Sequence, residues 1–212
     1  MKQASMRIGL GIILCGLLAS PATAAFITYN FTGDVAHVHS QLSSSFTPSA
    51  SLTAMSGFVT VDSSTPGSGN YAITNFKVTI GGYTATMGTS GLVQIIDGPP
   101  GLDRVTGTVN APTGPIVNFL APRLFDVQLR GPADTFSGNG LPTSSPSIGD
   151  FTNFNRWRLV FGPGKGKVVR GTVTSLTAVP LPAAVVLFGA GLVALAGLGA
   201  GNWRQRKITI IA

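Results

Sequence analysis

Hydrophobic and polar residues alternate with a period of two over most of the chain between residues 25 and 176. The clearest stretch is Asn75 to Met87, where Phe76, Val78 and Ile80 alternate with Lys77 and Thr79. Gly81-Gly82 interrupts it, and Tyr83, Ala85 and Met87 then alternate with Thr84 and Thr86. A two-residue turn at the glycine pair sets Ile80 opposite Tyr83, Val78 opposite Ala85 and Phe76 opposite Met87. These six share one face, which predicts a hairpin with a buried and a wet side. Similar runs occur at Ile27–Val38, Gly57–Asp62, Leu92–Asp97, Val105–Asn110, Val117–Leu120, Leu124–Leu129, Trp157–Phe161 and Lys167–Leu176. Clusters of Gly, Pro, Ser and Asn separate them, as at Ser64–Asn70, Gly98–Gly101 and Gly131–Asp134, and such clusters are turn chemistry. No segment between residues 25 and 176 carries the 3.6-residue period of an amphipathic helix. About eight to ten short antiparallel strands predict one all-β domain, an antiparallel β-sandwich or jelly roll. Gly138 to Asp150, rich in Ser, Pro and Gly, predicts a long surface loop.

The pattern changes at both ends. Lys2 and Arg7 flank the start of an apolar run, Ile8 to Leu18, and Ala22-Thr23-Ala24 follows. Small residues three and one positions before a cut are the mark of a signal peptidase site, so residues 1–24 read as a secretory signal peptide with Ala22 and Ala24 at that site. Cys15 follows Leu14 rather than a small residue, which argues against lipidation. Near the other end, Ala183 to Gly201 carries no charge. About 19 residues make a helix of roughly 28 Å, close to bilayer thickness. The run predicts a single transmembrane helix over 183–201, with Pro182 tolerated at its opening turn. Arg204, Arg206 and Lys207 form a basic stop, expected on the cytoplasmic side with the body outside. The chain thus divides into a signal peptide (1–24), a β domain (25–176) and a C-terminal segment (177–212).

These ends change the meaning of the charge. The whole chain has 14 basic and seven acidic residues, a net charge of +7. Setting aside Lys2, Arg7, Arg204, Arg206 and Lys207 leaves nine basic against seven acidic residues, a net +2. The basic balance is mostly targeting chemistry and gives no case for nucleic acid as a partner. Cys15, the one cysteine, leaves with the signal peptide, so the body has neither a disulfide nor a thiolate to use.

Candidate chemistry in the body is sparse. His37 and His39 are the two histidines and would share a face of a strand, but Asp34 falls on the other face and no further soft ligand exists. Asp97, Asp103 and Asp126 lack the dense Asp/Asn/Gly spacing of calcium loops, so turn and loop capping is their expected role. Gly162-Pro-Gly-Lys-Gly-Lys167 misses phosphate-loop spacing, because Val168 stands where Ser or Thr belongs. No Gly-x-Ser-x-Gly elbow and no glutamate occur. The expectation is a protein without catalytic residues, metal or cofactor. One cluster remains: Arg156, Arg158, Lys165, Lys167 and Arg170 surround the last predicted hairpin. It reads either as a patch for acidic polysaccharide or lipopolysaccharide phosphate, or as charge that keeps an edge hairpin from pairing with other chains.

The order Val179-Pro180-Leu181-Pro182-Ala183-Ala184, then Leu187-Phe188-Gly189, Gly191-Leu192 and Leu195-Ala196-Gly197-Leu198, then the basic cluster, resembles PEP-CTERM sorting signals. Leu181 replaces the glutamate of the common motif, so the likeness is closer to the VPLPA-CTERM subgroup. The resemblance implies export across the inner membrane of a Gram-negative bacterium and transient anchoring there by the C-terminal helix. It further implies processing by signal peptidase and an exosortase-type transpeptidase, and delivery to the cell surface or beyond. Such proteins accompany extracellular polysaccharide and biofilm. The function implied is a non-enzymatic envelope or matrix protein. A glycan-binding module, a plain single-pass membrane-anchored periplasmic protein and a hydrolase whose carboxylates cannot be paired from the sequence are the other readings.

Overall fold

The computed structural model of the chain describes residues 26–46, 54–65, 67–98, 102–164 and 166–180. Its strands are β1 (Phe26–Val38), β2 (Ala54–Asp62), β3 (Asn70–Ile80), β4 (Tyr83–Thr86), β5 (Ser90–Ile96), β6 (Asp103–Asn110), β7 (Pro122–Gly131), β8 (Phe154–Phe161) and β9 (Val168–Pro180). Two single-turn 3₁₀ segments, Ser40–Leu42 and Ile148–Asp150, complete the regular structure of the described residues.

The sheet closes on itself. Its order is β2-β1-β9-β8-β7-β6-β5-β3-β4, and β2 also pairs with β3. Eight strands therefore form a closed antiparallel barrel, and β4 continues the sheet beside β3 beyond the end of β5. This corrects the expected β-sandwich or jelly roll. Alternation is the same whether the apolar face meets a second sheet or the barrel's own far wall. What decides is the pairing of β1 with both β2 and β9, which leaves no open edge between first and last strand. The β8–β9 hairpin is likewise no edge, since β8 also pairs with β7 and β9 with β1. Edge protection is therefore not the role of its arginines.

The β3–β4 register follows the alternation, with Ile80 opposite Tyr83 and Val78 opposite Ala85. Gly81 supplies the positive φ of the turn. Met87 lies beyond β4, and Phe76 instead pairs with Val59 of β2. The predicted strand Val117–Leu120 is a tight turn closed by one bridge, with Asn118 and Phe119 at positive φ.

Inward residues of the eight strands fill the barrel, with Phe31, Phe76 and Phe125 at mid-height: Phe125 lies 4.8 Å from Phe76 and 6.0 Å from Phe31 between ring centroids. One end is plugged by Leu42 and Phe46, the latter packed on Tyr83 and Phe161. The other end is covered by the loop over residues 132–153. Tyr29 Oη donates to Pro142 O (2.6 Å) and Tyr71 Oη to Asn139 O (2.7 Å). Ser145 Oγ accepts from Ala178 N, Asn139 Oδ1 from Asp97 N and buried Asp103 Oδ2 from Phe136 N. The predicted surface loop is thus a lid. Beneath it lies an apolar cavity of about 90 Å³.

Among the described residues no helix is long and apolar enough to cross a membrane. This corrects the single transmembrane helix, and the membrane anchoring and location drawn from it, as features of the structure. The stretch 183–201 to which that helix was assigned lies outside the described residues, as do residues 1–24.

Candidate functional site: an arginine row on the outer wall

Outward side chains of β6, β7 and β8 gather arginines that are far apart in sequence. Arg104 of β6 stands directly opposite Arg130 of β7, and Arg130 opposite Phe154 of β8. Two residues along β8 the same face carries Arg156, opposite Gln128. The guanidinium carbons of Arg130 and Arg156 lie 5.5 and 5.0 Å from the centroid of Phe154. A cation over an aromatic face is attracted by the ring quadrupole, so Phe154 holds both guanidinium groups beside it. The Nε atoms of Arg104, Arg130 and Arg156 are hidden from solvent and have no hydrogen-bond partner within the protein.

The arrangement runs against sheet stability. Like charges directly opposite on neighbouring strands repel, and Arg104 meets Arg130 in that way. A second such pair, Arg158 with Arg170, lies further along the same wall. Among the described residues the one ion pair within 4 Å is Arg158 with Asp126. Asp126 is buried, and desolvation pushes its carboxyl above the ordinary value against the opposing pull of Arg158. Arg104, Arg130, Arg156, Arg158 and Arg170 thus share the outer wall of β6–β9 with one paired carboxylate. Guanidinium groups are planar forks that match carboxylate, sulfate or phosphate oxygens in pairs. A row of three with no ion-pair partner within 4 Å among the described residues suits a ligand bearing several anionic groups.

The five cations singled out in the sequence are divided by the structure. Arg156 belongs to the row at the lid end. Arg158 is tied to Asp126, and Arg170 is exposed across from it. Lys167 sits at the opposite end of the barrel, its carbonyl accepting from Phe161 N, and Lys165 lies outside the described residues. Sequence reading missed Arg104 and Arg130, which become neighbours of Arg156 through strand register alone, and Phe154, which lies two residues before Arg156 on the same face of β8.

The other candidates separate too. His37 pairs with Arg170 beside a bulge in β1, whereas His39 leaves the strand and its Nδ1 accepts from Gln41 N. Asp103 points inward at the base of the lid and Asp126 outward to Arg158. Among the described residues no three His, Cys, Asp or Glu side chains gather as metal ligands. Of the motif Val179-Pro180-Leu181-Pro182-Ala183, the first two residues are the end of β9, with Val179 opposite Thr28 and Pro180 opposite Ile27. Leu181, Pro182, Ala183, Arg204, Arg206, Lys207, Ala22 and Ala24 lie outside the described residues. No family model, curated protein or solved structure matches the chain.

Proposed function

We propose that this chain is a non-enzymatic binding barrel whose ligand is an acidic polysaccharide, held along the outer arginine row. The observation that carries the reading is the gathering of Arg104, Arg130 and Arg156 on one outer face, none of them in an ion pair within 4 Å among the described residues, with two of the guanidinium groups set on Phe154. A polymer of uronate or sulfate groups supplies repeated planar or near-planar acceptors, and its length exploits a row better than a single small anion does.

Binding of a polyuronate to the purified protein tests it, by calorimetry at low and moderate salt. Arg104→Gln, Arg130→Gln and Arg156→Gln each remove charge-assisted hydrogen bonds worth about 1.5–3 kcal/mol, so each should weaken binding roughly tenfold or more. Arg104→Gln should not lower the melting temperature, because it relieves a like-charge pair. No detectable affinity for polyuronate or sulfated polymer, or an equal loss with Lys77→Gln on the distant β3, sinks the reading.

The resemblance of the chain ends to sorting signals extends the proposal. The barrel is made as a precursor, and its flanks are removed by signal peptidase before Ala25 and by an exosortase-type transpeptidase at the Val179–Ala183 motif. The compact unit Ala25–Pro180 supports this, because both cuts then fall at the limits of the barrel.

A further inference from the structure

Inside the same wall, on the opposite side of β6 from the arginines, we infer that the cavity under the lid is a binding site for one small uncharged apolar molecule, about the size of a single ring. The site is independent of the arginine row. Its wall comes from Phe76, Phe125, Val93, Val127 and Leu129 of the barrel, with Leu141 and Pro142 of the lid closing it. Tyr29 also reaches it, but its hydroxyl is spent on Pro142 O. The walls offer neither charge nor a free donor, which excludes ions and sugars and selects apolar surface. Phe76 and Phe125 in the lining offer aromatic contact to a ring.

The void has a specific cause. Gly107 lies midway along β6, between Val93 of β5 and Val127 of β7, and lines the cavity. A Cβ added there would meet no heavy atom within 4 Å. Most other inward strand glycines differ: Gly33, Gly57, Gly91 and Gly171 are each crowded by neighbouring atoms. Gly107 therefore withholds a side chain where the interior has room for one. A void of about 90 Å³ approaches the roughly 150 Å³ of an apolar protein cavity that stays dry and takes up benzene or xenon. The lid is the route of access, since it forms the roof and is fastened by hydrogen bonds rather than by strand pairing.

The test titrates the full-length protein with benzene and with xenon. Readouts are the melting temperature and the methyl resonances of Val93, Val127 and Leu129. Saturable shifts of these methyl groups and a melting temperature that rises with benzene are expected. Gly107→Leu should abolish both responses while melting at or above the parent temperature. Should Gly107→Leu fail to fold, Gly107→Ala, whose added methyl meets open space, should still fold and weaken benzene at least fivefold. Arg104→Gln should leave benzene binding unchanged. The inference is overturned by unshifted methyl resonances at saturating benzene, or by a folded Gly107 variant that binds benzene as the parent does.

Discussion

Replacing Gly171 with alanine should open the barrel where its first and last strands meet. Gly171 of β9 pairs with Val35 of β1 on one side and with Trp157 of β8 on the other. A Cβ at Gly171 would overlap the carbonyl oxygen of Asp34 and stand 3.0 Å from Trp157 Nε1. The obstacle is backbone, so no side-chain rotation relieves it. That carbonyl also accepts the indole N–H of fully buried Trp157 at 3.0 Å. To admit the methyl, β1 must move from β9, and the indole then loses its acceptor. Overpacking costs about 1–3 kcal/mol, and a buried donor left unpaired costs about 1–3 kcal/mol more. A total near 4 kcal/mol is a large part of the roughly 5–15 kcal/mol that holds a domain folded. At about 2–4 °C per kcal/mol for a domain of this length, the melting temperature should fall by roughly 8–16 °C.

Calorimetric melts and urea midpoints of parent and variant measure this directly. Gly82→Ala is the control, because its Cβ meets nothing within 4 Å and surface changes of this kind stay within about 0.5 kcal/mol. Trp157→Phe adds a second check. It removes the indole N–H, so combined with Gly171→Ala it should cost less than the sum of the two single changes, as expected of contacting residues. A Gly171→Ala protein that melts within about 3 °C of the parent would refute the clash and, with it, the account of how the seam is packed.

Two further predictions concern charge and processing. Burial raises the Asp126 carboxyl above its ordinary value, so the folded state holds that proton more tightly, and the stability it contributes is lost as pH rises from about 4 through the folded value; urea midpoints of the parent should fall relative to Asp126→Asn across that window, and parallel pH profiles would remove the effect. Intact mass of the protein purified from an exosortase-bearing host should show an N-terminus at Ala25 and a C-terminus within Pro180–Ala183, whereas retention of Lys207 would remove the processing proposal.

Strand positions were legible because the barrel buries one face of nearly every strand, and burial of one face is written as alternation. The Ile80–Tyr83 and Val78–Ala85 pairs could be read because a two-residue turn fixes the register locally. Closure could not. It depends on Ile27 meeting Pro180 and Val38 meeting Val169, contacts between opposite ends of the domain. Alternation also says nothing of what a face is packed against. The arginine row failed for the same reason: Arg156 and Arg158 attract notice as near neighbours in sequence, while Arg104 and Arg130 meet only through the β6–β7 register. The loop Gly138–Asp150 was recognisable by composition, but its role as a lid rests on the hydroxyls of Tyr29, within the predicted strand Ile27–Val38, and of Tyr71, which no predicted strand contained.

The closing seam also makes fold and processing compatible. In an antiparallel pair the start of one strand lies beside the end of the other, so Phe26 and Val179–Pro180 share the lid rim. A cut before Ala25 leaves β1 whole. A cut beyond Pro180 leaves every β1–β9 pair in place, and Pro180, with no N–H to donate, is a natural last residue for that ladder. Gly171 lies inside that ladder, while Trp157 and the row Arg104, Arg130 and Arg156 stand on β6–β8. Under the proposed processing, the transpeptidase must reach a motif whose first two residues are already held in a strand. Cleavage on the folded barrel should then occur at the free side of Pro180 rather than before Val179. The predicted mass distinguishes these two positions by the presence of Val179 and Pro180 in the product.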